Sequence, residues 1–333
     1  MVVTVDERRI DAVANLFRND FRLTCIEIYV LVQGPPRSSS KFKSQVMQLW
    51  HKVATTLEMI KWEHSVFALP FALTGAMLAA GGWPRLSKVF WIVVCMVLAR
   101  AAGMAFNRWA DADLDARNPR TRMRAIPAGL LSRRFVGSFT LVTSLSFLLA
   151  ASQLNRLTLL LAPAELAIVL LYSYSKRFTR WSHLVLGFAL GSAPAAAWIA
   201  VRGSMDARIL VLTFIVLCWV GGFDTLYACQ DAEHDRLVGL ESLPASIGIP
   251  NAFLVARCLH IVMLASSVWL IRLFGLGFLS WVGITAVAVL LLREHLIVSP
   301  GDLSRMNAAF FTMNGFISVV FFVFVGADIL LRP

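Results

Sequence analysis

From about residue 55 onward the chain alternates long apolar stretches with short polar ones. The apolar runs lie near 61–82, 88–108, 134–152, 156–175, 182–201, 208–229, 250–271, 274–293 and 308–331. Each is close to the ~20 residues a helix needs to cross the hydrocarbon of a bilayer. Only helices and closed barrels satisfy their backbone in lipid, and these runs are too long and continuous for barrel strands. The pattern therefore predicts an all-α polytopic membrane protein, a bundle of nine transmembrane helices within residues 55–333, with no room in the polar gaps for a second soluble domain.

Residues 1–54 break the pattern. They carry mixed charge, a short apolar piece (LTCIEIYVLVQG) and then PPRSSSKFKS, which reads as a flexible, basic, membrane-adjacent extension. Its apolar core is short and no small-residue cleavage site is evident, so it does not read as a targeting segment. Met47 offers an alternative start, and no chemistry is assigned to this stretch.

Composition agrees with the pattern: 58% of residues are hydrophobic and 15% charged, far from the balance of a soluble domain. The net charge of +11 lies in the gaps between apolar runs without forming a basic face. Topology explains it better than nucleic acid does. The gaps after even-numbered runs hold Arg117, Arg120, Arg122, Arg124, Arg133 and Arg134, then Lys176, Arg177 and Arg180, then Arg236 and Arg305. The opposite gaps hold only Arg85, Lys88, Arg156, Arg202, Arg208 and Arg272, so the N-terminus and the even gaps are expected in the cytoplasm, beneath a bacterial inner membrane. Cys25, Cys95, Cys218, Cys229 and Cys258 are scattered without metal-site or disulfide spacing. Trp83, Trp91, Trp181 and Trp281 fall near the expected interfaces and fit an aromatic belt.

One gap concentrates acids. Asn107, Asp111 and Asp115 recur at four-residue intervals, which stacks them on one helical face while Asp113 points away. Asp231 and Asp235 repeat the spacing, with Tyr227 one turn and Asp224 two turns earlier on the same side of α-helical space. A carboxylate at the centre of a membrane helix costs roughly 2.5–3.5 kcal/mol on insertion scales, and less near the interface. Two facing sets of oxygen donors suit a hard divalent ion, and Mg²⁺ normally completes its octahedron with an anion such as a diphosphate. The neighbouring arginines and Lys176 are suited to contact that anion. A cation transporter would also bury acids, but near mid-span beside broken helices. Glu63 and His64 fit an acceptor pocket and an interfacial helix start about equally well, and Glu165, inside a span, is expected to be paired or to line a cavity.

The NxxxDxxxD form of Asn107, Asp111 and Asp115, the RTRMRAIPAG that follows, YSYSKRFT at 172–179 and DTLYACQDAEHDRLVGLESLPASIG at 224–248 together resemble the UbiA superfamily of intramembrane prenyltransferases. The resemblance covers about residues 55–330. Within the family, IKWEHSVFALPFALTGAMLAAGG and FDTLYACQDAEHD are most similar to the 4-hydroxybenzoate polyprenyltransferase branch, which includes members assigned to menaquinone synthesis. The resemblance implies that Asn107, Asp111, Asp115, Asp231 and Asp235 hold Mg²⁺ on the diphosphate of a polyprenyl donor. Asp224 and Tyr227 would stand near the reacting centre, and Arg120, Arg124, Lys176 and Arg177 would contact the diphosphate or close over it. Ala232, Glu233 and His234 stand where some relatives carry a run of acids. The implied reaction is Mg²⁺-dependent transfer of a polyprenyl group from polyprenyl diphosphate to an aromatic acid, 4-hydroxybenzoate ahead of a naphthoate. No obligate protein partner follows from it.

Overall fold

A computed structural model describes residues 40–61, 65–306 and 312–332. Among the described residues sixteen stretches of α-helix or 3₁₀ turn follow one another. The α-helices are α1 (Ser40–Ile60), α2 (Ser65–Ala80), α3 (Leu86–Ala110), α4 (Ala112–Arg117), α5 (Arg133–Ser152), α6 (Arg156–Leu171), α7 (Ser182–Arg202), α8 (Leu210–Ala228), α9 (Ala232–Val238), α10 (Leu243–Ile247), α11 (Ile249–Phe274), α12 (Phe278–Ile297) and α13 (Asn314–Leu330). Among the described residues no strand forms, only an isolated bridge between Ser299 and Asp302.

Seven helices are long and apolar enough to cross a membrane, and the shorter apolar helices Phe67–Ala80 and Asn314–Leu330 correspond to the first and last expected spans. Both of these border residues outside the described set, so among the described residues seven of the nine expected spans reach spanning length. The molecule is an integral membrane protein. Cys25, Glu63 and His64 lie outside the described residues; Cys95, Cys218, Cys229 and Cys258 are free thiols.

Helix α8 is the centre of the bundle, packed between α7 and α11, while α2 leans on α7 and α13 and α3 on α5. Close approach is made by small residues, as expected where lipid removes the hydrophobic drive between helices. Gly187 and Gly191, one turn apart on α7, face α8 so tightly that a Cβ would lie 2.5 Å from the Leu217 carbonyl oxygen and 2.7 Å from that of Thr213. Phe71 packs against both Trp219 and Phe321, with ring centroids 5.0 Å (Phe71–Trp219) and 4.9 Å (Phe71–Phe321) apart. A buried polar chain crosses this core: the Trp219 indole donates to Asn314 Oδ1 at 2.8 Å, and Asn314 Nδ2 donates to Glu294 Oε1 at 3.1 Å, which offsets part of the cost of burying them. At the far end from the acids, Asn155 caps α6 through Thr158 N and donates to the carbonyls of Ile199 and Ala200 at 2.8 and 3.1 Å, in the last turn of α7.

Candidate active site

Both acidic motifs sit where a spanning helix breaks and restarts. Helix α3 ends at Asp111 (φ −97°, ψ 8°) before the short α4, and α8 runs through a 3₁₀ turn to Asp231 (φ −105°, ψ 0°) before α9. These dihedrals lie in the bridge region between helix and strand, which functional residues often occupy. The helical spacing survives the first break, because Asp111 N donates to Asn107 O at 2.9 Å and Asp115 N to Asp111 O at 2.8 Å. Asn107, Asp111 and Asp115 thus remain stacked although they belong to two helices, and Asn107 Nδ2 donates to Asp111 Oδ2 at 3.0 Å. Asp113 is exposed and pairs with Arg133 at 3.2 Å, outside this group.

Between the breaks lies a cavity of about 570 Å³ lined by Asn107, Asp111, Asp115, Arg120, Arg124, Lys176, Arg177, Asp224, Tyr227, Asp231 and Asp235. Every site residue expected from the sequence meets there. Deeper in, its wall turns apolar, with Phe67, Met104, Leu190, Val220 and Phe223. A second cavity of about 350 Å³, lined mainly by α3, α6 and α7, shares Arg100, Met104, Tyr172, Leu186 and Leu190 with the first.

Each of the four basic residues pairs with a different acid. Arg120 forks onto Asp231, its Nε at 2.8 Å from Oδ1 and its Nη2 on Oδ2. Arg124 meets Asp115 at 2.6 Å, Arg177 meets Asp111 at 3.1 Å, and Lys176 Nζ stands 3.8 Å from Asp235. The sequence suggested an anion as their contact; the structure gives each one a carboxylate, as buried charge requires a counter-charge. Arg120 also stacks on Tyr227, 5.4 Å from the ring centroid, and donates to its hydroxyl at 3.1 Å. Arg177 closes the end of α3 by donating to the Ala110 carbonyl at 2.8 Å. Burial pushes the Asp111 carboxyl above the usual carboxylate range, with the Arg177 contact working against the rise. Burial opposes the Arg120 charge, but the hydrogen bonds and charge of Asp231 outweigh it and raise its pKa.

Among the described residues no three His, Cys, Asp or Glu side chains gather into a closed metal cage. The site is nonetheless short of partners: Asp115 Oδ2 and Asp235 Oδ2, one from each motif, are buried without a hydrogen bond. Two carboxylate oxygens without hydrogen bonds, on residues lining one cavity, fit a hard cation that takes its remaining ligands from a substrate.

Two functional-site residues, Asn118 and His183, escaped the sequence, and for Glu165 only its partner did. Asn118 is buried, donates to Asp231 Oδ1 at 3.2 Å and accepts from Arg120 N at 2.9 Å, so it fixes the fork. His183, 2% exposed at the start of α7, places Nδ1 2.7 Å from Asp224 Oδ2. Glu165 lines the second cavity and accepts from Ser192 Oγ at 2.6 Å, which supplies the partner its position in a span required.

Residues 68–320 match the family model described as UbiA prenyltransferase family. The chain is 30% identical over 236 residues to a 4-hydroxybenzoate octaprenyltransferase of Cupriavidus necator, covering 71% of this chain and 82% of that protein. It is 31% identical over 251 residues to the protein of the same name from Ralstonia nicotianae, covering 75% and 84%. Among solved structures, the apo form of a UbiA homolog from Aeropyrum pernix superposes with a TM-score of 0.73 at 32% identity, covering 80% of this chain and 98% of the other. A UbiA homolog from Archaeoglobus fulgidus bound to DMAPP and Mg²⁺ shares the fold at a TM-score of 0.62 and 17% identity, covering 84% and 100%.

Proposed function

The chain belongs to the UbiA prenyltransferase family, and from that premise we propose that it transfers a polyprenyl group from polyprenyl diphosphate to 4-hydroxybenzoate, with the site opening to the cytoplasmic side of a bacterial inner membrane. The observation that carries this reading is the convergence of both acidic motifs and four cations on one cavity whose deeper wall is apolar. The names of the curated relatives support the acceptor, and the arginine-rich gaps support the orientation.

Asn107, Asp111, Asp115, Asp231 and Asp235 would hold Mg²⁺, which neutralises charge building on the leaving diphosphate. The UbiA homolog bound to DMAPP and Mg²⁺ supports a metal of this kind. Arg120, Arg124, Lys176 and Arg177 already lie against the acids, so an arriving diphosphate has four cations within a side-chain rotation of its oxygens. Carboxylates freed by that exchange would be available to hold the metal. The apolar wall excludes water that would otherwise capture an allylic cation, and the cavity between α3, α6 and α7 receives the isoprenoid tail. Acids at helix ends beside arginines, rather than at mid-span, argue against a transporter.

An acceptor panel tests the reading. Membranes containing the protein are incubated with radiolabelled polyprenyl diphosphate, Mg²⁺ and either 4-hydroxybenzoate or a dihydroxynaphthoate. Labelled lipid-soluble product with 4-hydroxybenzoate is expected; product only with the naphthoate would move the enzyme to menaquinone synthesis, and none with any aromatic acid would sink the proposal.

A further inference from the structure

Asp224 lines the cavity two turns before Asp231, on the apolar side of the acidic clusters. Its side chain is 21% exposed and meets the His183 ring. The carboxylate offers only lone pairs, so the facing nitrogen, Nδ1, carries the hydrogen and donates to Asp224 Oδ2 at 2.7 Å. His183 itself is buried, and its Nε2 meets no hydrogen-bond partner. The imidazole is therefore held with one nitrogen committed to Asp224 and the other shut away from water. A histidine in so dry a place with half its polar capacity unused is costly for packing alone. One oxygen of Asp224 is thereby fixed from behind, and Oδ1 is left for whatever enters the cavity.

We propose that His183 is a positioning residue for acceptor activation: it aims Asp224 so that Oδ1 takes the hydroxyl proton of the phenolic acceptor. The inference rests on the prenyltransferase reading above and deepens it. The logic is that of a base oriented by a third group, with the order of histidine and carboxylate reversed relative to a serine-hydrolase triad. As the donor C1–O bond breaks, its electron pair leaves on the diphosphate. A ring carbon ortho to the hydroxyl bonds to C1 while the phenol oxygen becomes a carbonyl and its proton passes to Asp224. Loss of the hydrogen from the newly substituted carbon restores the aromatic ring, and the oxygen takes its proton back from Asp224. One proton is released overall, alongside the diphosphate.

The test uses the full-length protein in detergent, with wild type, His183→Leu and His183→Asn assayed on 4-hydroxybenzoate and on 3-fluoro-4-hydroxybenzoate, whose hydroxyl is more acidic. His183→Leu is expected to lower kcat about 10- to 100-fold, as removal of an orienting partner does, with the donor KM unchanged because the diphosphate site is untouched. His183→Asn, whose amide Nδ2 stands closest to the place of the histidine Nδ1, restores most of the rate. The deficit of His183→Leu shrinks on the fluorinated acceptor, since a more acidic phenol needs less help; a purely structural role would depress both acceptors equally. Wild-type kcat in His183→Leu, no rescue by asparagine, or the same deficit on both acceptors overturns the inference. Wild type that forms no product with either acceptor overturns the underlying prenyltransferase reading, which the variants alone do not address.

Discussion

Arg120 and Asp231 lie 111 positions apart in the chain, yet the guanidinium engages both carboxylate oxygens, Nε at 2.8 Å from Oδ1. Arg120 follows the first acidic motif and Asp231 opens the second, so this fork ties the two halves of the site together. Asn118 holds both partners, and Tyr227 lies beneath the guanidinium. The planar fork and the stacking explain why arginine stands here rather than lysine. Replacing Arg120 with alanine leaves Asp231 buried without its cation and removes a diphosphate contact, and kcat/KM for the donor is expected to fall at least about 100-fold, equivalent to some 2.7 kcal/mol. Arg120→Lys should recover little of it. Steady-state kinetics with varied donor checks both.

Asp111 gives the site its acid sensitivity. Burial holds its carboxyl above the usual carboxylate range, so it takes up a proton at a pH where an ordinary aspartate is still charged. A protonated carboxyl is a poor Mg²⁺ ligand. The Mg²⁺ concentration for half-maximal activity is therefore expected to rise as pH falls, beginning above the ordinary aspartate range. Arg177 opposes the shift, so Arg177→Gln should move that rise to still higher pH. Mg²⁺ titrations at several pH values measure it; a requirement independent of pH down to ordinary carboxylate values would contradict the account.

The α7–α8 crossing has no room for a methyl group. A Cβ on Gly187 would approach the Leu217 carbonyl oxygen to 2.5 Å, and backbone cannot move aside as a flexible side chain can. Gly187→Ala should destabilise the bundle by about 1–3 kcal/mol through overpacking, read as a lowered thermal transition in detergent. At Gly203, which has open space around it, steric crowding is absent and only its left-handed backbone opposes substitution, so Gly203→Ala should cost less.

Much of this molecule was legible in the chain because lipid imposes a simple rule. A spanning helix must be apolar along its length, so α3, α5, α7, α11 and α12 show as continuous runs. The four-residue spacing singled out Asp111, Asp115, Asp231 and Asp235, and it separated Asp113, which pairs with Arg133 outside the cavity. The breaks at Asp111 and Asp231 were not legible, because neither carries a glycine or proline; each is a change of backbone path made by tertiary packing. The pairing of each cation with its own carboxylate was equally hidden, since spacing gives faces and not partners. His183 and Asp224, 41 positions apart, meet only because α7 lies against α8. Glu165 signalled its need for a partner by its place in a span, while Ser192, 27 positions on, had no feature to mark it.

The central claim is that the two acidic motifs act together on a Mg²⁺-bound diphosphate. Its most direct measurement is radiolabelled prenyl transfer by membranes containing wild type, Asp111→Ala or Asp231→Ala at matched protein levels, each with and without EDTA. Wild type should yield labelled lipid-soluble product that EDTA abolishes, and each variant should insert normally yet lose at least about 100-fold in rate, the scale on which transition-state charge stabilisers act. Near-normal transfer by either variant, or wild-type transfer that EDTA leaves intact, would contradict the account.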